Sequence, residues 1–375
     1  MILALIVLSV IVLFHEFGHF LLARLNNIAV MEFAVGFGPT ILSYKSKKSG
    51  TRYSVKLLPF GGFCAMRGES EEDEASEEAG SDKAGSDKAG SDKEKSMAKG
   101  DSFFEKPVLA RISVLAAGPL FNFLMAFVFA VVIVFWAGYD SPDITQVSEG
   151  SAAEAAGLSA GDVITKIGSR RVWIARDVML YMSVCPDEDI SVQYKRYDAD
   201  AGKWVKNSVL LDSEKLTMQY GRRLMGITFS GGGTRVDSLP SLVCYGAAEV
   251  RYTIYAVIDG LGQMIKGKVT GDDIAGPIRI AAIIDNTVQQ ASPYGFQVVL
   301  MNILNLMVMF AANLGIMNLL PIPGLDGGRL VFLLWELITG KPVNRSFEGV
   351  FSMAGMAFLG AIMVLVMLND LKSLF

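Results

Sequence analysis

Histidine is almost missing from this chain of 375 residues: His15 and His19 are the only two. Any chemistry that needs imidazole must use that pair. Cysteine is nearly as scarce. Cys64, Cys185 and Cys244 are odd in number and far apart, which excludes a disulfide framework and a CxxC metal site. Charge is thin as well, at 19% against 51% hydrophobic residues, with a mean hydropathy of +0.40. Those values argue against a wholly soluble chain and against global disorder. Lys and Arg number 34 and Asp and Glu 38, a net charge of −4. That balance supplies no basic surface for phosphates, so nucleic acid is excluded as a partner.

What the chain does have is long uncharged runs. Four segments are apolar enough to cross a bilayer. The first runs from Met1 through His15-Glu16-Phe17-Gly18-His19 to about Ala23. The second is Ile112 to Tyr139, the third lies between Asp285 and Asp326, and the fourth is Gly349 to Asn369. The N-terminal run lacks a basic leader and a small-x-small cleavage site, so it reads as a retained span rather than a signal peptide. Arg24, Lys106, Arg111, Arg329, Lys341 and Arg345 flank the spans on one side. By the positive-inside rule that side is cytoplasmic, and 140–285 is outside.

The loops differ in kind. Glu32 to Arg67 reads as turns and short strands: Gly36-Phe37-Gly38-Pro39 is a turn, Arg52 to Leu58 alternates, and Gly61-Gly62 ends it. An acidic run, Glu69 to Glu78, then leads into Gly-Ser-Asp-Lys repeated at 80–83, 85–88 and 90–93. Such low complexity predicts a flexible linker. Residues 141–213 resemble a PDZ domain of the bacterial protease type, through Ala156-Gly157-Leu158, Gly161-Asp162, Ile164 and Ile167. That resemblance implies peptide ligands captured at a sheet edge. From about 242 to 268, Val250, Ile254, Val257, Ile258 and Leu261 recur at helical spacing. This predicts an amphipathic helix, lying on the outer membrane surface or closing the preceding domain.

His15-Glu16-Phe17-Gly18-His19 is an HExxH pattern. On a helix, i and i+4 share a face, so both imidazoles can reach one ion. Neutral imidazole suits zinc at about 2.0–2.1 Å. A glutamate between the ligands can take a proton from a zinc-bound water, whose pKa falls to about 7. Polar side chains within a span are costly unless functional. Histidines hydrogen-bonded between helices are the structural alternative. A catalytic zinc needs a third protein ligand. No histidine is left, which points to a carboxylate near the membrane. Asp326 is the best placed, at the end of Asn318-Leu319-Leu320-Pro321-Ile322-Pro323-Gly324-Leu325-Asp326. The prolines and glycines there break a helix. Irregular backbone at membrane depth is tolerated where it is buried or lines a cavity. A surface aspartate in an interfacial turn is the alternative, and iron or cobalt would suit the same ligands.

Taken together, HEFGH, Gly118-Pro119-Leu120-Phe121-Asn122-Phe123, the PDZ-like region and the LDGG segment resemble the site-2 proteases, in particular the bacterial regulator-of-sigma-E type. The resemblance implies that His15, His19 and Asp326 bind Zn²⁺ and that Glu16 is the catalytic base. It implies that Asn318 and Pro321 hold substrate. It also implies that β elements containing Gly36, Gly38, Tyr53, Val55, Leu57 and Gly61 clamp an extended substrate. The implied function is intramembrane cleavage of single-span membrane proteins after trimming outside, with anti-sigma factors or remnant signal peptides as substrates. The implied location is the bacterial inner membrane. Departures from the pattern are a single PDZ-like unit, the acidic insertion, and Arg329 where the family commonly has histidine.

The expected fold is a polytopic α-helical membrane protein of four transmembrane helices, the third broken. Membrane-associated β elements and an inserted extracytoplasmic α+β PDZ domain complete it. The segments run 1–23 (first span), 24–68 (β region), 69–105 (acidic cytoplasmic loop) and 106–139 (second span). They continue 141–213 (PDZ), 214–295 (amphipathic helix), 296–340 (broken third span with LDG) and 349–370 (fourth span). A metal transporter and an inactive membrane scaffold are the rival classes.

Overall fold

The structure, a computed structural model, describes residues 2–69, 102–219, 222–268 and 275–372. The lysine-containing repeats at 80–93 lie outside the described residues. The chain divides into two units, Met1–Ala126 with Thr270–Phe375, and Phe127–Val269.

Helix α1 (Ile2–Leu25) buries Ala4, Val7, Ile11, His15, Gly18, His19 and Ala23, a stripe at three- and four-residue spacing. It ends where Asn27 turns to φ 54°. Ile28 N–H then bonds the Ala23 carbonyl at 2.8 Å and Asn27 N–H the Arg24 carbonyl at 3.2 Å, which closes a Schellman turn. Strands β1 (Val30–Lys45) and β2 (Arg52–Met66) follow. Each folds in two, because Gly36, Gly38 and Gly61 take φ of 86°, 90° and 73°, a region that glycine reaches cheaply. Phe33 consequently faces Cys64 on one side and Tyr53 on the other, while Tyr44 also lies opposite Tyr53. Residues 32–35 and 52–55 are inner strands; 40–45 and 62–66 are outer ones. Phe103, in a short 3-10 turn (Phe103–Glu105), is buried against Ala23, Val30, Met66 and Leu115. The loop expected over 69–105 therefore rejoins the fold before its end. Helix α2 (Val108–Ala137) contains Pro119.

The second unit continues with β3 (Ile144–Val147), α3 (Ala152–Ala155), β4 (Val163–Ile167), β5 (Arg170–Arg171) and α4 (Ala175–Val184). Then come β6 (Ile190–Asp198), β7 (Lys203–Leu211), β8 (Thr217–Gln219), β9 (Arg222–Leu224) and β10 (Ile227–Phe229). A sheet of order β5-β4-β6-β7 buries Ile190, Val192 and Tyr194 from alternate positions of β6. They pack with Ile164, Ile167, Leu158 and Met182. β10 pairs with β3, and Met225 joins this core. The unit thus extends past the expected boundary at residue 213, because its first strand finds its partner only at 227–229. Helix α5 (Leu239–Ile265) is bound to this unit by ion pairs. Arg170 meets Asp259 at 2.5 Å, Arg176 meets both Glu249 at 2.5 Å and Asp140 at 2.7 Å, and Arg251 meets Asp177. These contacts tie the helix to the preceding strands and helices of its unit.

The first unit resumes with α6 (Pro277–Ala291), a helix that the sequence reading left inside a longer connecting segment. Its N-terminus is held by Asp370, which accepts from the N–H groups of Gly276, Ile278 and Arg279, each at 3.1 Å. Helix α7 (Phe296–Leu319) stops at Leu320, and α8 (Asp326–Thr339) begins six residues later. Pro321 and Pro323 lack donors, and Gly324 takes φ 86°. Helix α9 (Arg345–Lys372) completes the chain. Helices α1, α2, α7 and α9 are long and apolar enough to cross a membrane.

Candidate metal centre

The stripe on α1 turns His15 and His19 inward, and both are 6% exposed. Helix α2 receives them. A Cβ on Gly118 would fall 2.4 Å from His19 Nε2 and 2.7 Å from His15 Nε2, so only glycine leaves room for the rings. One turn before Gly118, the Val114 carbonyl lies 2.8 Å from His19 Nδ1. One turn after it, the Asn122 amide lies 3.1 Å from His15 Nδ1. The 114/118/122 spacing on α2 therefore matches the 15/19 spacing on α1.

The break after α7 brings the third group. Asp326, the first residue of α8, places Oδ2 3.1 Å from His15 Nε2 and 3.3 Å from His19 Nε2. The two Nε2 atoms are 3.1 Å apart. In a tetrahedron with zinc–ligand bonds of about 2.0–2.1 Å, neighbouring ligand atoms sit about 3.3 Å apart. The observed triangle has that size. Its chemistry fits equally. A neutral His19 that donates from Nδ1 to this carbonyl keeps the lone pair of Nε2 turned toward the carboxylate, and Asp326 Oδ2 is buried with no hydrogen-bond partner. Acceptors in mutual contact are stable around a cation. Among the described residues this is the cluster suited to a metal.

Glu16 is half-buried on the same helix, one residue from His15. Asn318, on the last turn of α7, brings its Nδ2 to 3.4 Å from His15 Nε2. Pro321 is exposed within the break. The β residues stand apart from this cluster. Tyr53 touches α1 through Phe20, with ring centroids 6.1 Å apart. Val55 and Leu57 are exposed, Gly38 is exposed at its bend, and Gly36 and Gly61 are buried at theirs. Tyr53 and Val55 lie in a strand paired on both edges. Any strand added to this sheet would meet the outer segments 40–45 or 62–66 instead. Burial pushes the Cys64 thiol up, with Glu16 and Glu69 adding to it, and this cysteine is not part of the His15–His19–Asp326 cluster. Sequence reasoning missed Val114 and Asn122. Asn122 was legible only as a member of the Gly118–Phe123 motif, with no role given to it, and Val114 only through its four-residue spacing from Gly118.

Comparison with known proteins gives a family match over residues 3–362, to the description "Peptidase family M50". The regulator of sigma-W protease RasP of Bacillus subtilis is 30% identical over 429 residues, covering 99% of this chain and 97% of the relative. The zinc metalloprotease RasP of Bacillus licheniformis is 28% identical, covering 99% of this chain and 98% of the relative. The metalloprotease MmpA of Caulobacter vibrioides is 30% identical, covering 98% of this chain and 94% of the relative.

Proposed function

The chain belongs to peptidase family M50 and is a zinc metalloprotease, and we propose that it cuts single-span membrane proteins within or near the bilayer. The observation that carries this is the convergence of His15, His19 and Asp326 Oδ2 within 3.3 Å of one another, with both histidines on a helix long and apolar enough to span a membrane and Asp326 opening the short helix α8 just after another. His15, His19 and Asp326 are the residues that would hold zinc. When bound, zinc acts as a Lewis acid on the scissile carbonyl and makes water a usable nucleophile near neutral pH. Glu16 takes the proton of the attacking water and passes it to the leaving amine. Asn318, beside His15, offers its amide to the substrate backbone. A transmembrane helix must unwind before its peptide bond is accessible, and a sheet edge in the β1–β2 region is suited to hold the unwound segment.

The name of the Bacillus subtilis relative ties that protein to regulation of sigma-W. By analogy the substrates here are membrane-bound anti-sigma factors, with remnant signal peptides as a second group, each trimmed first outside the membrane. The second unit is read as a PDZ domain on the extracytoplasmic side of a bacterial inner membrane. It would bind peptide ends or screen substrates by size.

The test is cleavage of a tagged single-span protein by the purified, detergent-solubilised chain. Cleavage by the parent is expected, with none by Glu16→Gln and none after zinc chelation. Full activity in Glu16→Gln would overturn the assignment of the base. Activity that survives complete removal of zinc would overturn the metalloprotease mechanism.

A further inference from the structure

We propose that Asn122 is a positioning residue that sets the tautomer of His15 and so aims its Nε2 at the metal. The inference rests on the zinc reading above. Asn122 is 0% exposed. Its amide is 3.1 Å from His15 Nδ1, and its Oδ1 is buried without a hydrogen-bond partner. An imidazole that ligates through Nε2 must carry its proton on Nδ1, and that N–H needs an acceptor. For His19 the acceptor is the Val114 carbonyl. For His15 the group in that place is the Asn122 amide, one turn beyond Gly118 on the same helix.

An amide can face His15 either way. With Nδ2 toward the ring, Nδ1 is an acceptor and the proton sits on Nε2, next to Asp326 Oδ2 at 3.1 Å. Turned over, Oδ1 accepts from Nδ1–H and Nε2 is left bare. The first arrangement leaves Oδ1 without a partner; the second gives it one and is the one that binds metal. A single buried amide can serve both states, which a carbonyl such as that of Val114 cannot.

The chain's histidine content makes the test direct. The parent protein is labelled with ¹⁵N at histidine alone, loaded with one zinc per chain, and its ring nitrogens are read by two-bond ¹⁵N–¹H correlation. Both rings are expected to be protonated at Nδ1. Zinc affinity is then measured by chelator competition for Asn122→Leu, which removes the acceptor, and Asn122→Asp, which keeps it. Asn122→Leu should bind about 10- to 100-fold more weakly, and Asn122→Asp should hold zinc as the parent does. An unprotonated Nδ1 on one ring of the zinc-loaded parent would overturn the inference while leaving the metal site intact. Parental affinity in Asn122→Leu would do the same. If Asn122→Leu does not fold, the parent spectrum decides alone. A parent that takes up no zinc removes the zinc reading and this inference together.

Discussion

Gly118 lies so close to His19 that a Cβ on it would stand 2.4 Å from Nε2. His15 Cε1 and Nε2 would follow at 2.6 and 2.7 Å, so the Nε2 atoms that form the cluster with Asp326 are both within reach of it. The absent side chain is therefore part of the site.

Gly118→Ala is expected to abolish zinc binding and cleavage together. Neither ring can retreat, since each Nδ1 is held by α2 itself through Val114 and Asn122. Bound zinc per chain, measured by atomic absorption on folded protein, checks this. Stoichiometric zinc in Gly118→Ala would mean that the rings have room that the packing denies them.

Asp370 makes a second prediction. It is 0% exposed and accepts three backbone N–H groups at the start of α6 from the far end of α9. Removing it leaves buried donors unpaired. Asp370→Ala should cost about 2 kcal/mol, with Asp370→Asn losing less because it keeps one acceptor oxygen. Thermal unfolding in detergent measures both. An unchanged midpoint for Asp370→Ala would show that the cap contributes nothing.

The same residue explains what was legible in the sequence. The spans could be read because bilayer crossing demands uncharged length, and the HExxH pair because it is local. Asp326 could be read because Pro321, Pro323 and Gly324 announce a break. Helix α6 was not legible: its cap lies more than ninety positions away, and Arg279, Asp285, Asn286 and Gln289 make it look like a connector. Strand β10 was missed for another reason, since the three residues Ile227–Phe229 are too few to display alternation. The folding-over of β1 and β2 depends on glycine φ angles, which a sequence permits but does not specify. Asn122 lies in the Gly118–Phe123 motif but is a neutral residue in an apolar span, and its role shows only once His15 is placed beside it.

Glu249 gives a prediction with a pH sign. Burial pushes its carboxyl up, and Arg176 pulls it down, leaving it raised overall. A carboxyl raised in the folded state binds its proton more tightly there than in the unfolded chain. Stability that it withholds at neutral pH returns as pH falls toward the usual carboxylate range. Arg176→Ala strands Glu249 and Asp140 without their shared cation, at a cost of about 2 kcal/mol at pH 7.5. That deficit should be smaller at pH 5 than at pH 7.5, because burial already raises the Glu249 carboxyl and loss of Arg176 removes the charge that lowers it, and Arg176→Ala/Glu249→Leu should recover part of it. Unfolding midpoints at the two pH values test this. A deficit that grows on acidification would contradict it.

Arg329 closes an ion group three residues after Asp326. Its guanidinium meets Glu69 at 2.5 Å and Glu348 at 3.4 Å, and lies 5.5 Å from the Phe103 ring centre. It thereby ties the first turn of α8 to the end of the β region and to α9. All three side chains are less than a quarter exposed. Arg329→Ala leaves two carboxylates facing each other with reduced solvation, and about 3 kcal/mol of stability should go with it. Arg329→Lys should restore only part, because an ammonium cannot reproduce the planar fork that serves two carboxylates and an aromatic face. Since Asp326 sits one turn away on the same helix, Arg329→Ala should also lower the cleavage rate several-fold while zinc content stays at the parental value. Unfolding midpoints, zinc content and single-turnover cleavage separate these effects. Full stability in Arg329→Ala would mean that Glu69 and Glu348 are held apart by something other than this guanidinium.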